Sequence, residues 1–206
     1  MSSKNKKYPR YGFEGVGIVI TLIIIFGVVG GLGYLSLKDS SDTNQTSSKE
    51  LDSLIGKPLP EIQLVDKDGK VYTNNDLKGK NTVLFFSEGL MCYPACWNQI
   101  AGLGSDSRFA TDQIQAFSVL VDSSKDWQKA IDKMPELAKA NTLFDVGGTL
   151  SQKLGFLTLP SSMHKGSLPG HTYIVIDKEG IVRYVKDDPN MAMANDLLIN
   201  KIAEFK

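Results

Sequence analysis

The chain of 206 residues has no excess charge of either sign: 23 Lys and Arg balance 23 Asp and Glu. Beyond the first ten residues its cations are scattered, so it lacks the clustered basic footprint that binding a phosphate backbone requires. Nucleic-acid binding is excluded on that ground. No internal repeat is visible, which leaves one domain of ordinary size, and 42% hydrophobic residues are enough to build its core. Cysteine is scarce. The chain has two, Cys92 and Cys96, both within LFFSEGLMCYPACWNQI, residues 84–100. Two cysteines so spaced are a structural staple, a metal site or a redox centre.

A second absence lies near the N-terminus, where residues 15–37 (GVGIVITLIIIFGVVGGLGYLSL) contain no charge. A helix rising about 1.5 Å per residue over that length crosses a hydrocarbon core of about 30 Å. No A-x-A processing pattern follows and no lipidation cysteine is present, so the stretch reads as a retained transmembrane helix, not a cleaved signal peptide. Lys4, Lys6, Lys7 and Arg10 precede the span, whereas Lys38 and Lys49 are diluted by Asp39, Asp42, Glu50 and Asp52 after it. The positive-inside bias then makes residues 1–14 a cytoplasmic N-terminus and puts everything after Leu37 outside the cytoplasm. The expectation is a single-pass protein of the cell membrane with an extracytoplasmic domain. Residues 38–50 (KDSSDTNQTSSKE) lack any large apolar residue, cannot bury enough surface to fold, and read as a flexible tether.

From Leu51 onward the pattern becomes globular, giving a domain over 51–206. Asp68-Gly69 between two short extended segments is a hairpin signal. TVLFFS (82–87) and AFSVLVD (116–122) are continuous apolar runs of strand length, as expected for strands covered on both faces. Ser123 with Asp126 resembles a capping box that opens a helix, and Pro135 closes it or starts the next. NTLFD reads as a short strand and GTLSQKLG as a helix. HTYIVID and IVRYVK, joined by KEG, form a second hairpin, and the last segment places Ala194, Leu197, Leu198, Ile202 and Phe205 on one helical face. Strands alternating with helices imply an α/β fold with a mixed central sheet flanked by helices.

These stretches, taken in order, carry a family resemblance. LIGKPLPEIQLVDKDGKVYTNNDLKGKNTVLFF, then two close cysteines, then FDVGGTLSQKLG, then TYIVIDKEGIVRYV resemble the redoxin superfamily of thioredoxin-fold proteins. That superfamily includes the alkyl hydroperoxide reductase/thiol-specific antioxidant peroxiredoxins and membrane-anchored thiol-disulfide oxidoreductases of the TlpA type. The resemblance spans residues 51 to about 205. It implies a thioredoxin-like fold with the cysteine pair at the start of the first long helix, a protein disulfide, dithiol or peroxide as substrate, an external thiol as electron donor, and no cofactor.

Pro94 suits the first position of a helix, so Cys92 is expected just before that helix and Cys96 in its first turn, where the sulfurs can meet if Cys92 lies outside the regular turn. The unpaired N–H groups and the dipole at a helix start favour a thiolate. Cys92 is therefore the expected nucleophile and Cys96 the resolving thiol. An inert staple is the plainer reading, but a loop of three residues removes little unfolded-state entropy. The metal reading rests on a resemblance to the Sco family of copper-binding assembly proteins. Those carry C-x-x-x-C and a distant histidine, which here would be His171, with Met91 and Met163 as further soft sulfur. The chain departs from that pattern at Trp97, where Sco proteins carry proline.

Within the redox reading, Phe85 and Gly89 stand where peroxiredoxins carry proline and Thr or Ser, and Met91 stands for the Trp of W-C-x-x-C, with one extra residue between the cysteines. Glu88 is a candidate proton shuttle if buried, otherwise a solvated loop carboxylate. Pro169 lies near where thioredoxin folds place a cis-proline, and an ordinary trans turn proline fits equally. His171 falls where many peroxiredoxins carry arginine and is a candidate to face the thiolate; with His164 it belongs to a loop expected to border the site. Tyr93 and Trp97 flank the cysteines, as an apolar rim for a partner or as packing.

Overall fold

A computed structural model describes residues 49–205. The expected cytoplasmic segment 1–14, the span 15–37 and residues 38–48 of the tether lie outside the described residues. Within them no helix is long and apolar enough to cross a membrane. Residues 49–52 are helical, and buried Leu51 anchors that turn, so ordered chain includes the last two residues assigned to the tether.

Seven strands form one mixed sheet. They are β1 (Gln63–Val65), β2 (Val71–Thr73), β3 (Asn81–Ser87), β4 (Ile114–Leu120), β5 (Thr142–Phe144), β6 (Thr172–Ile176) and β7 (Val182–Asp187), in spatial order β2-β1-β5-β4-β3-β6-β7. β3, β4 and β5 run parallel, while β1–β2, β1–β5, β3–β6 and β6–β7 are antiparallel. Among the described residues, the helices that accompany them, besides the turn at 49–52, are α1 (Ala95–Ser105), α2 (Ser124–Lys133), α3 (Thr149–Lys153) and α4 (Asn195–Ala203).

The continuous apolar run of β3 follows from its central place. Side chains alternate across a strand, so Val83 and Phe85 enter one core with Trp97 and Ile100 of α1, Trp127 of α2 and Leu198 of α4. Leu84 and Phe86 enter a second core on the opposite face, with Leu77, Leu150 and Phe156. A parallel β3–β4 pair needs a crossover, and α1 supplies it. The cysteine segment is the connection that lifts the chain from β3 into that helix.

Local signals place most elements. The first hairpin turns at Gly69, whose φ of +82 suits glycine. Ser123 caps α2, its hydroxyl accepting the Asp126 N–H at 3.1 Å. Pro135 opens a separate 3-10 turn, Pro135–Lys139. β4 begins and ends two residues earlier than the apolar run suggested, because its register is set by pairing with β3 from Ile114 to Leu120. Leu198 and Ile202 of α4 and its N-cap residue Ala194 are buried as expected, and Phe205, just beyond the helix, packs partly against the first core; Ile199 joins them there. Leu197 is only half-buried and belongs to neither core.

Candidate active site

Cys92 and Cys96 are joined by a disulfide, with S–S 2.00 Å and Cα–Cα 5.3 Å. Cys92 ends a 3-10 turn, Gly89–Met91, in a non-helical conformation, and its N–H donates to the Gly89 carbonyl at 3.2 Å. Cys96 is the second residue of α1, its N–H donating to the Cys92 carbonyl at 3.0 Å. The first cysteine therefore stands outside the regular turn, which is the condition for closure. Pro94 is displaced by one position from expectation: it is the N-cap residue, preceded by a cis Tyr93–Pro94 bond, and Ala95 takes the first helical place. Both cysteines are nearly inaccessible, at 2% and 0% exposure.

The turn that carries Cys92 is fixed from two sides. Asp122, just beyond β4, accepts the Leu90 N–H at 3.0 Å, and the Trp97 indole N–H donates to the Gly89 carbonyl at 3.1 Å. Burial pushes the Asp122 carboxyl above its ordinary range, opposed by that Leu90 hydrogen bond. Trp97 thus packs and positions the turn, while Tyr93 is 69% exposed and stands edge-on to it at 4.9 Å between ring centroids. Tyr93, Trp97, Leu90, Asn98, Lys133 and Met134 line a cleft of about 440 Å³ beside the disulfide. Tyr93 stands at the exposed side of that cleft and Trp97 at its buried side.

Below the pair lies His171, fully buried, with Nδ1 3.5 Å from Cys96 Sγ and Nε2 2.7 Å from the Tyr173 hydroxyl. Phe85 holds both rings, edge-on to His171 at 4.6 Å and stacked on Tyr173 at 4.8 Å. Burial lowers His171 to about 4, so its imidazole is neutral, and burial pushes the Tyr173 phenol up, so its hydroxyl keeps its proton. His171 therefore does approach the disulfide, but it faces the sulfur of Cys96, not that of the expected nucleophile.

The other candidates are distributed differently. Glu88 is 1% exposed, yet its carboxylate turns to the loop: it accepts the N–H groups of Met163 at 2.6 Å and His164 at 3.1 Å, and Oε2 lies 2.9 Å from His164 Nδ1. It pins that loop against the cysteine segment. Pro169 is buried two residues before His171, and its peptide is trans, since Tyr93–Pro94 is the one cis bond among the described residues. Met91 and Met163 are exposed.

A different methionine supplies the sulfur at the site. Met191, with φ of +49, sets its Sδ 3.9 Å from Cys92 Sγ. No local sequence signal marks it, whereas Tyr173 was findable, because strand alternation puts residues two apart on one face. The donor atoms of Cys92, Cys96 and His171 all lie within 4.8 Å of one another, so a reduced pair and this histidine could hold a soft metal ion.

The sheet is thioredoxin-like and carries a closed cysteine pair between its interior strand β3 and the following helix α1. Residues 55–185 match the AhpC/TSA family, well over half of the chain, and the chain belongs to that family. A chloroplastic peroxiredoxin Q of Triticum aestivum is 29% identical over 136 residues; the match covers 63% of this chain and spans 57% of the relative's length. Among solved structures, AhpC of Enterococcus faecalis is similar with a TM-score of 0.61 at 18% identity, covering 73% of this chain and 91% of that one. A pneumococcal exposed lipoprotein thioredoxin, from Streptococcus pneumoniae, has a TM-score of 0.54 at 22% identity, covering 70% and 99%. At those identities the likeness is one of fold.

Proposed function

We propose that this chain is a membrane-anchored thiol-disulfide oxidoreductase whose extracytoplasmic domain cycles the Cys92–Cys96 pair. The observation that carries the reading is the placement of that disulfide at the start of α1, with a buried neutral imidazole against Cys96. A bridge enclosing three residues contributes little as a staple. In the reducing direction Cys92 thiolate attacks a substrate disulfide, forming a mixed disulfide and releasing one substrate thiol. Cys96 then attacks Cys92 Sγ, releasing the second thiol and closing Cys92–Cys96. Two electrons pass to the substrate, and an external thiol restores the pair. With a peroxide, Cys92 thiolate would instead attack the outer oxygen, breaking the O–O bond and releasing the alcohol or water, and the resulting sulfenic acid would lose water when Cys96 attacks. The cleft beside the pair and the absence of the peroxiredoxin Pro and Thr/Ser before Cys92 favour a protein disulfide or dithiol over a peroxide.

The full-length chain tests this directly. Cys92→Ser abolishes turnover of a disulfide substrate, whereas Cys96→Ser accumulates a mixed disulfide visible by intact mass. If neither a disulfide nor a peroxide is turned over and Cys92 alkylates no faster than a free cysteine, the reading is wrong.

A second reading, a copper chaperone, is favoured by one observation: a soft donor set of two sulfurs and an imidazole, with the Met191 thioether 3.9 Å from Cys92 Sγ. Stoichiometric Cu(I) binding by the reduced chain that is lost in His171→Ala, without any thiol turnover, would establish it instead.

A further inference from the structure

We infer that Tyr173 locks His171 as a fixed, neutral N–H donor to Cys96, and that this donor biases the Cys92–Cys96 pair toward its reduced state. The inference rests on the thiol-disulfide reading above and gives that site a direction. His171 immediately precedes β6 and Tyr173 is its second residue, so both rings fall on the face of the sheet that α1 covers. Both side chains are completely buried.

The hydrogen-bond inventory decides the tautomer. The Tyr173 hydroxyl has one partner among the described residues, His171 Nε2 at 2.7 Å. If Nε2 carried the ring proton, it would donate to the phenol oxygen and leave the phenol O–H without a protein acceptor in a fully buried site, an arrangement folded proteins avoid. With the phenol donating to Nε2, the ring proton sits on Nδ1. That nitrogen is the one 3.5 Å from Cys96 Sγ. Phe85, packed against both rings, prevents the imidazole from turning away.

The consequence appears when the disulfide opens. An external thiolate attacks Cys92 Sγ, the Cys92–Cys96 bond breaks, and its electron pair remains on Cys96 Sγ as a thiolate. The Nδ1–H then makes a charge-assisted hydrogen bond to that sulfur, and no proton changes hands. A second external thiolate attacks the external sulfur of the mixed disulfide. It releases Cys92 thiolate and the donor's own disulfide, so two electrons have entered the pair. A disulfide sulfur is a weak acceptor and a thiolate a strong one. The donor therefore stabilises the reduced form more than the oxidised form, and makes Cys96 the better leaving group. His171 is a catalytic residue in this step, and Tyr173 is a positioning residue that acts through it.

The test is a redox equilibrium of the full-length chain, purified in detergent with a Cu(I) chelator present, in graded thiol/disulfide buffers, with the dithiol fraction read by alkylation and intact mass. Tyr173→Phe keeps the ring stacked on Phe85 and removes only the hydroxyl. It should shift the equilibrium constant about three- to tenfold toward the disulfide, the upper figure corresponding to about 30 mV. His171→Ala should shift it at least as far. His171→Asn, whose amide N–H can take the place of Nδ1–H, should recover part of the loss. In the His171→Ala background Tyr173→Phe should have no further effect, which a mere packing role would not produce. An unchanged equilibrium in Tyr173→Phe, a shift of opposite sign, or an equal effect with and without His171 overturns the inference and leaves the thiol-disulfide reading standing. A wild-type pair that does not cycle reversibly overturns both.

Discussion

Asp122 and Gly89 fit together because residue 89 has no side chain: a Cβ there would overlap Asp122 Oδ2, the oxygen that accepts the Leu90 N–H. The backbone at Gly89 is also left-handed, with φ of +60, where a side chain is strained. A bond from β4 to the turn before Cys92 thus depends on a glycine three residues ahead of the cysteine. Gly89→Ala is expected to cost about 1–3 kcal/mol from the strain and the displaced carboxylate. A lower urea midpoint together with faster alkylation of reduced Cys92 would register both effects; wild-type values for both would show that the turn is held by other contacts.

Stability should depend on pH through His171. An ordinary histidine titrates near 6.5, and burial lowers this one to about 4. Between those values the unfolded chain binds a proton that the folded chain refuses, so stability falls as the pH drops from about 6.5 toward 4 and levels off below. The full effect is about 3 kcal/mol. His171→Asn removes the titration, and its urea midpoint should lose this part of the acid slope. An unchanged slope in the variant would assign it to other groups.

Glu88 offers a test that separates structure from proton transfer. Its carboxylate accepts the Met163 and His164 N–H groups and contacts the His164 ring. Glu88→Ala should cost about 2 kcal/mol or more, because two backbone donors lose a charged partner, and should make the 162–168 loop sensitive to limited proteolysis. Thiol exchange below the unfolding transition should be little changed. A stable variant with slow exchange would instead return Glu88 to the role of proton shuttle.

The membrane topology is tested at the tether. A single cysteine introduced as Ser47→Cys should react with a membrane-impermeant maleimide on intact cells, against a wild-type control for Cys92 and Cys96. Labelling only after lysis would place the domain in the cytoplasm.

What the sequence by itself determined was local. The paired apolar runs of β3 and β4, the Ser123 cap, the hairpin at Gly69 and the helix start after Cys92 were all legible, because strand alternation, capping and turn chemistry operate over a few residues. The order of those elements was enough to indicate a redoxin. Tertiary structure alone decided where the polar groups near the cysteines would go. Glu88 meets residues 163 and 164, His171 meets Cys96 instead of Cys92, and Met191 brings its sulfur to Cys92, contacts separated in sequence by 75 to 99 residues. No local period encodes them. They follow from β6 lying beside β3 in the sheet, which carries His171 beneath the start of α1, and from the turn after β7 that returns Met191 to the same end. A side chain's partner at that range is fixed by which strands neighbour one another, and that is set by burying two cores at once on the faces of one sheet.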